Sequence, residues 1–427
     1  MLNKKQYWHK ALSLSKNSTL RNGTLFSLFS FLNSGISFLL LIFIAGFISP
    51  EGYGKLNIFN TTVMLLGFLI HLNTQGIISV NYFKNSRDSF YKTINAVILI
   101  TIACFIILGL PLFILTNYLN YNFDFPVSLL YIALSICFFQ VFSNINLDLW
   151  RLEERPIPYG LYSSGNVICN FILTLILVIS LDYGWIGRIY SQFIIAIIFF
   201  ILSIIFMIRR NYLKITLPSN KDIKDALSFG VPLIPHTTSF WLRQGLDRYI
   251  INAYYNSTLV GLFSFSYNFA NIIQIIGTAF NSTNSVFIYK QLSESENNKV
   301  DVRNKLKKQT KMMLIFYVGI TVVICIGSSL FISIFFPKYI GSLKFIIPQC
   351  LGAMFQCFYL LFVNFIFYYK KTKKLMYITF CLSLLHVILS LLLTRLSIYY
   401  TAYIGLFSNF LIALGVYLYS RRFYKLF

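Results

Sequence analysis

Residues able to do chemistry concentrate in one apolar stretch, FGVPLIPHTTSFWLRQGLDRYII at positions 229–251, which carries His236, Arg243, Asp247, Arg248 and two prolines, Pro232 and Pro235. A central Arg or Asp in a membrane helix costs roughly 2.5 to 3.5 kcal/mol, so such groups face a protein interior or a watery cavity rather than lipid. At about 100° per residue, His236, Arg243 and Asp247 fall within about 20° of one line, and Arg248 points roughly 140° away from Arg243. Arg243 and Asp247, four residues apart, can neutralise each other as a structural pair. Arg248 is then left over, and a surplus cation at membrane depth suits an anionic ligand. Pro232 and Pro235 each remove a backbone donor and predict a kink or break early in the segment, beside the charged residues.

The elements that must position these groups are membrane helices. Charged residues are 11% of the 427-residue chain against 57% hydrophobic, and the mean hydropathy is +0.69, far from the roughly one-quarter charged composition of soluble domains. Twelve apolar spans are predicted, near 24–49, 56–81, 92–116, 127–150, 159–181, 184–208, 226–254, 259–288, 311–336, 345–369, 374–394 and 399–420. Each is about the 20 residues a bilayer requires, which makes the fold class an all-α polytopic membrane protein. The first span is too long for a signal-peptide core and reads as a retained helix.

The net charge of +23 would suggest nucleic acid in a soluble protein, but here the cations are sorted by loop. With the N-terminus cytoplasmic, alternate loops and both tails hold 29 of the 36 Lys and Arg, and the opposite loops hold only Lys55, Lys338, Lys344 and Arg395. That asymmetry places both termini in the cytoplasm and directs the basic loops to anionic headgroups, with no nucleic-acid partner. The seven cysteines all fall in predicted spans without a CxxC pair, so neither a disulfide framework nor a zinc site is implied.

The second span repeats about 207 residues on: VGLFS at 260–264 falls on YGKLN at 53–57, and Tyr289 falls on Tyr82. One helix face carries Asn57, Asn60, Gly67, His71, Thr74 and Asn81 in the second span, in steps of three, four and seven, and Ser264, Tyr267, Asn271, Gln274, Thr278, Asn281 and Ser285 recur in steps of three and four in the eighth. Two six-helix halves related as parallel repeats follow. The division is a basic tail 1–23, a first half 24–208, a linker 209–225, a second half 226–420 and a tail 421–427. The stripes, with Gln349, Gln356 and Asn364 in the tenth span, line a cavity or bond helix to helix. Gly54 and Gly261 serve either close packing or a hinge.

Other polar positions have plainer readings. Arg188 opens the sixth span and is expected to snorkel to headgroups. Asp148, Arg151, Glu153 and Arg155 are expected to form a solvated helix end rather than an ion-pair latch. His386 reads as a packing histidine, and 290–310 as an amphipathic interfacial helix.

Catalytic signatures are missing from the sequence. There is no GxxxxGK[ST] phosphate loop, HExxH, GxSxG or metal-spaced cluster, so no catalytic residue, metal or cofactor is expected. The longest outer loop, about ten residues near 117–126, leaves no room for the large loop of glycan polymerases. The chain reads as a carrier rather than an enzyme.

The run FGVPLIPH at 229–236, DRYII at 247–251, VGLFSFSY at 260–267 and EERP at 153–156 resemble the bacterial polysaccharide or O-antigen repeat-unit flippases of the MATE-like multidrug/oligosaccharidyl-lipid/polysaccharide superfamily. The resemblance implies a multi-pass protein of the bacterial inner membrane. Its substrate would be an undecaprenyl-diphosphate-linked oligosaccharide, carried between leaflets by alternating access for O-antigen, lipopolysaccharide or capsule synthesis. On this reading Arg243 and Arg248 meet the diphosphate, and Asn57, Asn60, Thr74, Asn271, Gln274 and Asn281 meet sugar hydroxyls. Asp247, His236, Pro232 and Pro235 serve coupling or gating, the coupling ion being H+ or Na+. Implied partners are the lipid-linked substrate, membrane lipids, and the polysaccharide polymerase and chain-length machinery. The alternative is a MATE-like cation-coupled exporter of small organic molecules, which the surplus positive charge disfavours.

Overall fold

The computed structural model describes residues 18–84, 86–114, 126–214, 216–293, 299–424 and 426. Among these every regular element is helical, as the unbroken apolar runs require: in lipid a backbone must satisfy its own hydrogen bonds. Ten helices are long and apolar enough to cross a membrane, and a bent pair makes an eleventh. In chain order the first eight are α1 (Ser18–Ala45), α2 (Pro50–His71), α3 (Gly76–Tyr82), α4 (Arg87–Ile114), α5 (Val127–Leu152), α6 (Pro156–Leu175), α7 (Gly184–Arg209) and α8 (Asn220–Gly230). They are followed by α9 (Ile234–Gln244), α10 (Leu246–Tyr254), α11 (Ser257–Ser293), α12 (Lys299–Phe335), α13 (Leu343–Tyr368), α14 (Thr372–Leu393) and α15 (Ile398–Ser420).

Two predicted spans are interrupted. The second is α2 and α3, bent by 45° at a turn where Leu72 and Asn73 take positive φ and the Asn73 N–H donates to His71 Nδ1 at 2.9 Å. The seventh, expected over 226–254, is three α-helical pieces. A 3₁₀ turn at Val231–Leu233, holding Pro232, separates α8 from α9, and Gly245 separates α9 from α10. The proline break lies where the sequence places it. At the second break the close approach requires glycine: a Cβ at Gly245 would stand 2.8 Å from the Trp241 indole and from Thr61 Cγ2.

The chain folds as two compact units, and their boundaries differ from the division at 209–225. The first comprises the described residues up to Phe47 and Thr62–Ile234; the second comprises Ile48–Thr61 and Pro235–Phe427. Each unit thus takes a segment from across the expected boundary, 48–61 in one direction and 226–234 in the other. The expected linker is partly helical, because α8 begins at Asn220 behind a capping box in which Ser219 and Asp222 satisfy each other's backbone N–H.

In the first unit a core of Ile70, Phe90, Ile94, Leu134, Ile145 and Ala226 joins α2–α5 to α8. Gly230 lets α8 reach the α2–α3 turn, since a Cβ there would meet Leu72 O at 2.3 Å. In the second unit Tyr53, Phe265 and Tyr339 are fully buried together, and the Tyr339 hydroxyl donates to Ile48 O at 3.2 Å. The interfacial helix expected over 290–310 is not a separate element: α11 runs to Ser293, and α12 starts at Lys299 and continues through the membrane-length run. The outer loop expected at 117–126 lies, apart from residue 126, outside the described residues, as does most of the basic tail 1–23.

Candidate substrate and coupling site

Arg243, Asp247 and Arg248 are all buried, at 8%, 3% and 7% exposure. The break at Gly245 puts Arg243 in the last turn of α9 and the other two in the first turn of α10. Arg243 Nε donates to Ser239 O at 3.2 Å, its Nη1 donates to Asn409 Oδ1 on α15 at 3.0 Å, and its guanidinium lies 5.2 Å from the Phe240 ring centre. Arg248 Nε donates to Ser264 Oγ on α11 at 3.1 Å, its Nη1 donates to Gln244 O, and its guanidinium stands 5.1 Å from the Tyr267 ring centre. Both arginines are thus held by neutral oxygens and π faces.

Asp247 does not pair with Arg243. Its Oδ1 accepts from Ser390 Oγ at 2.7 Å and lies 3.1 Å from His386 Nε2, both on α14. His386 Nδ1 is 3.1 Å from Ser408 Oγ on α15. With the carboxylate ionised, Nε2 donates to it and Nδ1 accepts the Ser408 hydroxyl proton; with the imidazole charged, both nitrogens donate. His386, expected as a packing residue, is the partner of the one carboxylate at this depth of the segment. The arrangement sets two guanidiniums against a single carboxylate that an imidazole already engages.

Arg243 and Asp247, but not Arg248 or His386, border a cavity of about 40 Å³ whose lining includes Gln244, Tyr267, Gln274 and Asn409, enough for a water molecule or two. Gln274 sits at this cavity and accepts from Gln244 Nε2 at 3.4 Å. Asn281 bonds to Asn364 at 2.8 Å, and Gln349 to Ser266 at 2.6 Å, so part of the expected stripe joins helix to helix.

The remaining expected residues lie elsewhere. Asn57, inside α2, donates to the carbonyl one turn back, Tyr53 O, at 2.8 Å. Asn60 is half-buried on α2, and Asn271 is half-buried on α11. Thr74 is buried at the α2–α3 break and bonds to His71 O at 2.7 Å. Asn57 and Asn60 belong to the second unit and Thr74 to the first, so the α2 stripe is divided. His236 meets Phe240 edge-on and is not bonded to Asp247. Pro232 lies in the first unit and Pro235 in the second.

Two charged clusters of the first unit are also more buried than expected. At the end of α5, Glu153 pairs with Arg210 at 3.0 Å with side chains 16% and 13% exposed. Arg210 also donates to Asn146 at 2.8 Å and covers Trp150 and Tyr212. Burial, and then the hydrogen bond to the Glu153 carboxylate, push the Tyr212 hydroxyl above its usual range. This is a largely buried ion pair rather than a solvated helix end, although Arg151 and Arg155 remain exposed. Arg188 does not snorkel: it turns inward, and its Nη1 donates to Asn170 Oδ1 and, at 3.0 Å, to Thr174 Oγ1 on α6.

The sequence profile of a family described as "Polysaccharide biosynthesis protein" matches residues 19–287, well over half of the chain and all of the Arg243–Arg248 segment. The chain belongs to the polysaccharide biosynthesis protein family. Two Haemophilus influenzae proteins are similar to this family member. "Lsg locus putative protein 1" is 24% identical over 381 residues, covering 88% of this chain and 91% of that protein. An "Uncharacterized membrane protein" is 24% identical over 349 residues, covering 81% and 82%. Among solved structures, an inward-facing MATE family multidrug resistance transporter of the MOP superfamily superposes with a TM-score of 0.74 at 14% identity, covering 92% of this chain and 95% of that one. A MOP superfamily transporter from Pyrococcus furiosus, described as having a binding pocket of reverse polarity, gives 0.65 at 16% identity, covering 94% and 95%. The chain therefore has the MATE-like fold and is a multi-pass membrane protein.

Proposed function

We propose that this chain is a flippase that moves undecaprenyl-diphosphate-linked oligosaccharide repeat units from the inner to the outer leaflet of the bacterial inner membrane for O-antigen or capsule synthesis. The observation that carries the reading is the pair of buried guanidiniums of the second unit, each held by neutral groups, facing one carboxylate already engaged by His386. A guanidinium keeps its charge when buried and presents a planar fork that fits phosphate oxygens. Two of them suit a diphosphate better than an organic cation. Family membership supports a role in polysaccharide assembly, and the fold supports transport rather than catalysis. Transport proceeds by alternating access with both termini cytoplasmic, and the Asp247–His386 pair takes the coupling ion. A proton fits the pair better than Na+, because Asp247 Oδ1 and His386 Nε2 stand in hydrogen-bond contact at 3.1 Å and both can carry one.

The test is the leaflet location of lipid-linked repeat units in cells with the wild type, a deletion, or Arg243→Ala combined with Arg248→Ala at matched expression. Accumulation on the inner leaflet in the deletion and in the double variant is expected. Normal outer-leaflet display in the deletion overturns the flippase reading and returns the fold-based alternative, export of small organic molecules.

A further inference from the structure

Arg188 is a cation that neither the arginine pair of the second unit nor the first unit's Glu153–Arg210 pair employs. It lies one turn into α7, and no ion pair reaches it among the described residues. Its two hydrogen bonds both leave from Nη1, to Asn170 Oδ1 and Thr174 Oγ1. Its Nε is buried and has no partner. A guanidinium offers two bidentate edges, and here the edge that includes Nε is unused while the other end is clamped. The clamp is itself well built. Thr174 and Ser191 are fully buried and bonded to each other at 2.9 Å, and Ser191 donates to Asn170 O at 3.1 Å. α6 ends just beyond in a π-helical turn, Ile176–Ser180, against which Gly187 packs so closely that a Cβ would stand 3.0 Å from Leu177 O. Such turns re-aim side chains and are frequent at functional sites.

A buried guanidinium donor left without an acceptor is costly, and the charge costs more still unless an anion meets it. From Arg188 a hydroxyl- and amide-bearing face continues along α6 through Asn170, Asn166, Ser163 and Tyr159 in steps of three and four. On that face Asn33 of α1 donates to Ser163 at 3.0 Å and accepts from Ser164 at 2.9 Å.

We infer that the first unit holds a second, monoanionic subsite, in which the Nε edge of Arg188 takes a carboxylate or phosphate oxyanion of the carried molecule and the α6 face takes its neighbouring hydroxyls. One cation suits one negative charge, as on an acidic sugar. The lipid diphosphate, by contrast, suits the arginine pair of the second unit. The inference rests on the reading of the chain as a glycolipid carrier, but binding is measurable without transport.

The full chain in detergent is titrated with glucuronate, with glucose and with undecaprenyl diphosphate, following thermal protection and dissociation constants. Wild type is expected to bind glucuronate and not glucose. Arg188→Gln is expected to weaken glucuronate at least tenfold, Arg188→Lys to lie between, and Arg243→Gln to leave it unchanged. If Arg188→Gln instead weakens undecaprenyl diphosphate tenfold, the subsite stands and its anion comes from the lipid. Unchanged binding of both anions by Arg188→Gln or, should that variant not fold, by Arg188→Lys makes the residue a helix staple only and overturns the inference. A deletion strain with normal outer-leaflet display but intact glucuronate binding overturns the flippase reading and leaves the subsite in place.

Discussion

Gly261→Ala adds one methyl group, and the structure dictates what it meets. A Cβ at Gly261 would stand 1.9 Å from Pro50 O and 2.8 Å from Pro50 C, and one at the reciprocal Gly54 would stand 1.8 Å from Ser257 O. These are backbone atoms, so no rotamer change relieves the clash. Ordinary contact begins near 3.4 Å, and the start of α2 must therefore retreat from α11 by about 1.5 Å. That shift reaches the candidate site. The Trp241 indole donates to Thr61 O at 3.1 Å, and a displacement of that size along the bond opens it to about 4.6 Å, beyond hydrogen-bond reach. Overpacking of this kind costs roughly 1–3 kcal/mol, and the lost buried bond adds about 1. At about 2 °C per kcal/mol for a large chain, the melting temperature in detergent is expected to fall by about 4–8 °C. Gly319→Ala, where nothing lies within 4 Å of the added methyl, is the control and is expected to leave it unchanged. A Gly261→Ala melting temperature within about a degree of wild type would refute the reasoning, because the helices would then be free to separate without loss.

Asp247→Asn removes the only carboxylate beside Arg243 and Arg248, so undecaprenyl diphosphate should bind several-fold more tightly while the dependence of transport on the proton gradient disappears. Weaker lipid binding, or transport with unchanged ion dependence, rules out the role given to Asp247. Glu153→Ala strands Arg210 in its aromatic setting. Breaking a buried pair costs about 3–5 kcal/mol, and with side chains 16% and 13% exposed a loss near the lower end is expected in chemical unfolding. Ser219→Ala removes the capping-box hydroxyl of α8 and should cost about 1 kcal/mol, read as faster amide exchange over 220–230 with the rest of the chain unaltered.

Much of the fold was legible because a membrane leaves the chain few options. An apolar run of about 20 residues must form a helix, and the twelve predicted spans fall on α1–α15 once the interrupted second and seventh are counted as one span each. Pro232 announced its own break through its missing N–H. The break at Gly245 was not legible, and neither was the need for glycine there, which comes from the Trp241 indole and from Thr61, 184 residues earlier in the chain. For the same reason the helical wheel drawn through Arg243, Asp247 and Arg248 assumed a continuous helix and paired the wrong residues. The partner of Asp247 did leave a signal, because Thr379, Ser383, His386 and Ser390 recur in steps of three and four and are all buried. A lone histidine in an apolar span nevertheless reads as packing until its neighbour is known. Arg188 misled in the opposite sense: its place near a helix end suggested headgroups, whereas Asn170 and Thr174 on the preceding helix draw it inward.

Pairing with His386 changes what neutralising Asp247 can accomplish. Had the carboxylate held Arg243, protonation would have freed an arginine and moved a side chain. Arg243 and Arg248 are instead anchored by Asn409, Ser264 and backbone carbonyls rather than by Asp247. None of those bonds involves Asp247, so on the proposed function its neutralisation is expected to change the field at the arginines rather than their anchoring. With all three side chains buried, that change is only partly screened by solvent. The conformational consequence must then arise at the other end of the pair, where the His386–Ser408 contact ties α14 to α15 and the Ser390–Asp247 contact ties α14 to α10. On the proposed function, neutralising Asp247 is expected to act through how α14 is held, with Arg243 and Arg248 staying bonded to Asn409 and Ser264.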